Sequence, residues 1–555
     1  MTSPAPDREG EVPSYDVVVV GAGFAGLYML HRLRQAGFTV RVFDKAGDVG
    51  GTWYWNRYPG ARCDVESLFY SYSFDNSLQQ EWEWTERYPT QPEILRYLQH
   101  VADRFDLRDA ISLGTTVQGM TFDDGAGIWA VHTDVHGTVR SRFVIAATGC
   151  LSVPMMPSLP GMETFRGRSV HTGDWPHDGV DVSGLRVAVI GTGSSGVQVI
   201  PQLAADAAEL TVFQRTPNFG MPARNRPLQP GEQQQVKRAY PRLREEARRT
   251  SAGTIVPRSG LNAVGTDPAR VRQELEAAWA LGGSGILARF EDILVSHEAN
   301  DMVAAFLRER IREIVEDPTT AAALCPAGFP VGAKRVTVGT NYFESFNQPN
   351  VRLVDTRADP IQRITPYGVR TQEEEHESDV IVYATGFDAM TGALLRMDIR
   401  GSGGTSLSQR WEAGPHTYLG LGIAGFPNLF IIAGPGSPSV LGNVLVSIEQ
   451  HVEWIGDYLE HLRESGITRT EAEPSAQEAW VVHVNEVAGE TLFLEAASWY
   501  MGANVPGKPR VFMPYAGGFW KYRQLCDRVA HDGYPGFAHT RVGDSEPALV
   551  RWQTS

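Results

Sequence analysis

The chain has 555 residues, too many for one ordinary core and enough for about three or four domains. Lys and Arg number 50 against 65 Asp and Glu, a formal charge of −15; with no basic stripe, this argues against nucleic acid as a partner. The composition, 42% hydrophobic and 21% charged, is that of a folded globular protein. The four cysteines Cys63, Cys150, Cys325 and Cys526 are too scattered for a zinc knuckle or a disulfide scaffold and suit a reducing compartment, the cytoplasm.

Residues 1–14 are polar and proline-containing with no apolar core, and read as a disordered lead, not a secretory signal. From Tyr15 the chain runs YDVVVVGAGFAGLYMLHRL. Val17 to Val20 suit a strand covered on both faces, and Leu27, Leu30 and Leu33 recur at helical spacing. A second strand, Thr39 to Phe43, ends at Asp44, completing a strand–turn–helix–strand unit. Between its first strand and helix lie Gly21, Gly23 and Gly26. In such a unit the first glycine permits the tight turn, the second lets a pyrophosphate approach the backbone, and the third lets helix and strand pack. The helix start offers N–H donors to the phosphates, and Asp44 stands where a carboxylate bonds the ribose hydroxyls.

Pro154, Pro157 and Pro160 mark an extended linker. A second unit follows, RVAVIGTGSSGVQVI from Arg186 to Ile200, with Gly191, Gly193 and Gly196 and a later strand from Leu210 to Phe213. Pro201 predicts a kink in its helix. The second strand ends in Gln214-Arg215-Thr216, where a guanidinium attracts the 2′-phosphate that an acid would repel, so NADP(H) is expected with Arg215 as clamp. The first unit lacks such a cation, which makes FAD its natural occupant.

From Pro222 to Pro330 charged runs such as Glu245 to Arg249 and Arg308 to Asp317 alternate with Gly/Ser/Pro loops, predicting a helical insertion with solvated faces. Glu373 to Glu375 reads as an exposed hairpin tip. The longest apolar stretch, Tyr418 to Ile432, is broken by Gly420, Gly422, Gly425, Pro427 and Asn428, so no membrane span is expected. Flavin disulfide reductases also carry two nucleotide units, but Cys63 has no partner, with Tyr58 and Leu68 on either side. Dithiol chemistry is ruled out, and oxygen becomes the candidate electron acceptor.

The segment Phe165-Arg166-Gly167-Arg168-Ser169-Val170-His171-Thr172-Gly173-Asp174-Trp175-Pro176 resembles the FxGxxxHxxxWP signature of type I Baeyer–Villiger monooxygenases. Further shared blocks are Gly51-Thr52-Trp53, Tyr58-Pro59-Gly60 with Asp64, and Asp379 with Ala384-Thr385-Gly386-Phe387. SWYMGANVPGKPRVFMPYAGG near the C-terminus is similar to the phenylacetone and steroid monooxygenase branch. The resemblance runs from about Tyr15 to Phe537; Asp44 departs from the Glu of many relatives, though the shorter carboxylate still reaches a ribose.

The resemblance implies an α/β fold of two Rossmann-like dinucleotide-binding domains. The FAD domain would comprise 15–150 and 386–555, the latter including the C-terminal active-site loops. The NADP domain would comprise 151–221 and 331–385, with the helical insertion at 222–330. NADPH would reduce FAD, oxygen would add to the reduced flavin as a C4a-peroxide, and one oxygen would enter beside the carbonyl of an apolar ketone, giving an ester or lactone. Arg335 would act as the catalytic cation, held by Asp64. Gly51, Thr52, Trp53, Trp55, Asp64, Tyr70, Val117 and Leu445 would contact FAD. Ser194, Ser195, Gln198, Thr216, Lys334, Arg335 and Trp499 would contact NADP(H), and His171 would work from the linker. Leu151, Ser439, Val440, Leu441 and Val444 would wall the ketone pocket; no metal is expected, and no oligomeric state can be read. Three alternatives stay open: a nitrogen- or sulfur-oxygenating flavin monooxygenase, in which Phe or Tyr usually replaces Trp175; an uncoupled NADPH oxidase; and a nucleotide sensor without turnover, against which Lys334-Arg335 and Asp64 argue.

Overall fold

The computed structural model describes residues 12–541. Most of the expected disordered lead, residues 1–11, lies outside them, and Ser14 already opens β1 (Ser14–Val20). The chain continues through α1 (Phe24–Gln35) to β2 (Val40–Phe43), which lies parallel to β1. Val17 and Val19 enter one apolar core while Val18 and Val20 enter another, because successive side chains of a strand point to opposite faces. That double burial is why four β-branched residues stand in a row. After α2 (Thr52–Trp55) and α3 (Gln91–Arg104) come β3 (Ile111–Ser112), β4 (Val117–Asp123), β5 (Ile128–Thr133) and β6 (Gly137–Ala146). β4, β5 and β6 form an antiparallel flap, and β6 returns parallel beside β1.

The second sheet begins with β7 (Arg168–His171) and β8 (Arg186–Ile190), followed by α4 (Ser194–Asp206) and β9 (Glu209–Gln214). Pro201 lies inside α4, and the helix continues across it. A proline removes one rung of the helical ladder, and the buried Val199, Ile200 and Leu203 keep the helix seated in the core beside the sheet. Next come β10 (Gly220–Pro222), the long helices α5 (Pro230–Arg248), α6 (Pro268–Leu281) and α7 (His297–Ile314), and β11 (Thr337–Gly339), which pairs with β10. α6 and α7 share an apolar core with Phe219 and Val336. α5 does not join that core; its Tyr240 and Arg244 bond to Leu68, Phe69 and Ser71 beside the first sheet. Nothing local in a charged helix names the partner it packs against.

β12 (Val351–Asp355) leads into the hairpin strands β13 (Ile361–Thr365), β14 (Gly368–Thr371) and β15 (Glu375–Glu377), with Glu373 exposed at a tip, and then β16 (Val380–Tyr383). The second sheet has the order β12-β9-β8-β16-β7, parallel throughout. In β8, Val187 and Val189 face one core and Ala188 and Ile190 the other, repeating β1.

The chain then returns to the first sheet. β17 (Asp398–Arg400) pairs with β4, and β18 (Leu429–Ile431) pairs with Val144 to Ala146 of β6. α8 (Val444–Glu464), β19 (Ile467–Ala472), α9 (Pro474–Gly489), α10 (Phe519–His531) and β20 (Phe537–Arg541) complete the described chain. Among the described residues no helix is long and apolar enough to cross a membrane.

Candidate active site

The two glycine loops are built alike. Gly21 and Gly191 follow β1 and β8 with φ of +111° and +113°, and a Cβ at Gly191 would lie 2.5 Å from the carbonyl oxygen of Ala384. Gly193 differs: no protein atom lies within 4 Å of where its Cβ would sit. The protein's own packing does not require glycine there, whereas a diphosphate approaching the backbone does. α1 and α4 start at Gly23 and Gly193 without a side-chain cap, so their first-turn N–H groups stay available to phosphate oxygens. These residues fit two dinucleotides.

At the first loop Asp44 accepts hydrogen bonds from the N–H groups of Ala22 (2.6 Å) and Ala46 (2.8 Å). Burial raises its carboxyl pKa above the ordinary value, against the pull of those two donors. The same residue that stands at the ribose position therefore also braces the glycine loop. Gly51 abuts Gly23, and Thr52 opens α2 on the surface. Trp53 is buried and donates its indole N–H to the Tyr70 hydroxyl at 3.1 Å. Trp55 lies under Lys45, whose Nζ is 4.9 Å from the ring centroid. Val117, at the start of β4, is buried in the core of Val18 and Val20. Leu445 lies in the first turn of α8, which Asn443 caps while also bonding the carbonyl of Phe69.

At the second loop Ser194 and Arg215 are exposed. Lys334 stands over the Phe329 ring at 4.6 Å; burial, and then the nearby Arg215 charge, lower its pKa. Two cations thus converge beside the end of β9. Ser195 meets the Tyr58 hydroxyl, and the Thr216 carbonyl accepts from the Thr192 hydroxyl. Gln198 is turned elsewhere: its side chain bonds Tyr58 and Arg62, tying α4 to the loop before Asp64.

The signature segment runs through β7, the edge strand of the second sheet. Phe165 packs at the edge of the core beneath β8, and Gly167 passes so close to Asp379 that a Cβ would sit 2.3 Å from its carbonyl oxygen. His171 ends β7, receives the Gly173 N–H on Nδ1 at 2.9 Å and faces the Thr385 hydroxyl with Nε2 at 3.2 Å; Trp175 is buried. Asp379 grips Arg186 at the start of β8, a bracing contact within the second unit.

Arg335 is the meeting point. Its Nε and Nη2 each donate to Asp64 at 2.7 Å, and Nη1 donates to the carbonyl of Val440 at 2.9 Å. The fork uses the planarity of the guanidinium, which a lysine cannot copy. The Asp64 charge holds the Arg335 pKa above its already high value. Burial raises the Asp64 pKa, but the guanidinium outweighs it and holds the carboxyl below the usual range. Both stay charged, with side chains 28% and 20% exposed. Val440 lies in the turn Ser439–Leu441, so the cation is fastened directly to the expected ketone wall. Leu151, Val440, Leu441 and Trp499 fall in one apolar cluster, Ser439 meets Met390, and Val444 packs instead with the first unit's core.

Sequence reading missed several residues here. Tyr500 is buried against Arg335; burial raises its hydroxyl pKa while Arg335 lowers it. Met390, Phe493, Phe512 and Met513 extend the apolar wall. The available signal was position: Tyr500, Phe512 and Met513 lie inside the C-terminal block, and Met390 and Phe493 lie near recognised ones.

Residues 18–292 match the family described as pyridine nucleotide-disulphide oxidoreductase; all four cysteines are free, so the likeness concerns nucleotide binding and not a dithiol. A Baeyer–Villiger monooxygenase of Pseudooceanicola batsensis is 42% identical, covering 96% of this chain and 97% of that one. The phenazine N-monooxygenase PhzNO1 of Lysobacter antibioticus is 40% identical over 94% of this chain and 96% of its own. A solved oxidised steroid monooxygenase bound to NADP superposes with a TM-score of 0.91 at 48% identity, covering 95% of this chain and 99% of that one. Identity at this level along nearly the whole length of both partners, joined to the two glycine loops and the forked arginine between them, makes this chain a member of the Baeyer–Villiger monooxygenase family.

Proposed function

We propose that the protein takes FAD in the first unit and NADPH in the second, and uses O2 to insert one oxygen beside the carbonyl of an apolar ketone. The observation that carries this reading is the Asp64–Arg335 fork fastened to Val440. FAD reduced by NADPH supplies the oxygen-activating chemistry. The protein's part is to hold negative charge on the reacting oxygens while water is kept out, and a fixed cation in a sheltered site does this. Asp64 keeps the guanidinium oriented, and the apolar side chains around Val440 and Leu441 receive the carbonyl compound. The domain division given above, with 386–555 completing the FAD unit, belongs to this proposal, as does a cytoplasmic location, which four free cysteines suit.

The test is NADPH consumption with a panel of apolar ketones, with product masses checked for one added oxygen. The relative that bears a phenazine N-monooxygenase name makes an N-heteroaromatic a necessary member of the panel. Oxidation of that compound with every ketone untouched would overturn the reading.

Two further outcomes follow from the geometry. Arg215 and Lys334 stand near each other, which supports the 2′-phosphate lying between them, so Arg215→Ala should lower kcat/KM for NADPH roughly tenfold to a hundredfold, mainly through KM, and leave NADH almost unchanged. Equal use of both nicotinamides by the wild type would remove the assignment. Leu441→Ala should change which ketones are accepted while the rate of flavin reduction by NADPH stays the same; unaltered ketone selectivity would move the pocket elsewhere.

A further inference from the structure

We propose that the groove between the helical insertion and the first unit is a binding site for a small amphipathic monoanion, a medium-chain aliphatic carboxylate. The groove encloses about 430 Å3 and is lined by Leu68, Phe69, Leu228, Val236 and Leu281. Small-molecule sites usually span about 300–1,000 Å3. Leu281, the last residue of α6, leaves 42% of its surface in solvent, apolar area that a hydrocarbon chain would cover. The groove is distinct from the ketone wall: Leu68 and Leu228 belong to the core of the first unit, Leu151 and Val440 to another cluster.

Three guanidinium groups and two carboxylates share the same walls. Arg87 donates from Nε and Nη2 to Glu66 at 2.9 and 2.6 Å, and from Nη1 to the Leu281 carbonyl at 2.7 Å. Arg226 forks onto Glu232 at 2.8 and 2.7 Å. Arg224 is left over: among the described residues its side chain has neither a hydrogen bond nor an ion pair. One positive charge at the groove is therefore unmatched, and the planar donor fork of a guanidinium suits a carboxylate. A monoanion with an apolar tail satisfies the charge and the walls together; a cation or a neutral chain does not.

The backbone holds Arg224 in place. Its φ is +47°, in the left-handed region that residues with a Cβ rarely adopt. Such conformations persist where the surroundings fix them, and they recur at ligand clamps. Here the Ala223 N–H bonds the Gly339 carbonyl at 2.7 Å, and the Arg226 carbonyl accepts from the Arg87 N–H at 2.9 Å. Gly282, with φ of +72°, leaves room for the arginine stem, since a Cβ there would lie 2.6 Å from Arg224 Cγ. Arg224 also borders a smaller cavity of about 280 Å3 with Trp279, Tyr342 and Phe343. That wall carries Glu344 and no second guanidinium, so the carboxylate is assigned to the larger groove.

The experiment is calorimetric titration of the FAD-loaded protein with octanoate, with acetate and octylamine as comparison probes. Octanoate should bind at one site. Acetate should bind about a hundredfold more weakly for want of the chain, and octylamine should give no binding heat. Arg224→Gln should weaken octanoate about tenfold, and Arg224→Glu should abolish binding. Ala280→Trp, at an exposed position on the groove wall, should block the groove while Arg224 stays intact. Glu66→Gln should bind octanoate severalfold more tightly, because it frees Arg87 from its partner. Tm should stay at the wild-type value in each variant; if Arg224→Glu does not fold, Arg224→Gln and Ala280→Trp decide. Absence of octanoate binding to the folded wild type would overturn the proposal. Binding that the Arg224 and Ala280 variants leave unchanged and Leu441→Ala weakens would overturn it too, by placing octanoate in the ketone pocket. The titration reads the same whether or not a ketone is oxidised, so failure of the proposed function leaves this result standing.

Discussion

Arg335→Ala should still bind FAD and still consume NADPH, yet form no detectable ester. In the proposed function Arg335 stabilises charge that appears only after oxygen has reacted, and removing one such electrostatic partner costs about 3–4 kcal/mol, a factor of roughly 10²–10³. Reduction should slow only modestly, through loss of a contact near the nicotinamide. The reducing equivalents should then leave as hydrogen peroxide in near-equal amount to the NADPH consumed. The same change removes the guanidinium that outweighs burial, so the Asp64 carboxyl should rise above the usual carboxylate range. Arg335→Lys should not restore ester yield, because one ammonium cannot hold both oxygens of Asp64 and the Val440 carbonyl together. The measurement is NADPH, peroxide and ester followed in the same reaction. A normal ester yield from Arg335→Ala would sink the assignment.

The second large effect separates two glycines two residues apart. Gly191→Ala introduces a Cβ 2.5 Å from the Ala384 carbonyl oxygen, on a backbone with φ of +113°. Both the contact and the strained conformation act on the folded protein itself, so Tm should fall by several degrees, on the order of 2–3 kcal/mol. Gly193→Ala has ordinary φ and meets no protein atom within 4 Å. It should fold with unchanged Tm, yet raise the KM for NADPH about tenfold or more, because the methyl group occupies the space through which the diphosphate reaches the backbone. Thermal unfolding and NADPH titration of the two variants give opposite patterns. A Gly193→Ala protein with unimpaired NADPH affinity would contradict the site.

What could be read in the sequence was local. The runs Val17 to Val20 and Val187 to Ile190 announce strands covered on both faces, and the glycines that follow each run announce its turn. Such signals lie within one unit of strand, turn and helix. The pairing of Arg335 with Asp64 lies across 271 residues, and only resemblance suggested it. The attachment of Nη1 to the Val440 carbonyl involves a backbone atom, which carries no side-chain signature at all. The partner of Tyr500 was likewise silent, because an aromatic residue in a loop reads the same whether it faces solvent or another part of the chain. The neighbour of α5 was silent for the same reason: a charged helix does not say against what it packs. Pro201 sits inside α4, whose buried Val199, Ile200 and Leu203 hold the helix in the core.

The edge of β6 is shared in sequence order but not in time. Its first half meets β5, which precedes it in the chain, while Val144 to Ala146 meet β18, made only after the whole second sheet. As the chain leaves the ribosome, the first unit therefore carries an open apolar edge beside its glycine loop, and such an edge invites pairing with another chain. The second sheet, contained within residues 168–383, has all its strands in hand long before that. The inner unit can thus finish folding first, with the outer one closing around it afterwards. A chain stopped before Leu429 should emerge as an aggregating species unable to retain FAD, however complete its first glycine loop.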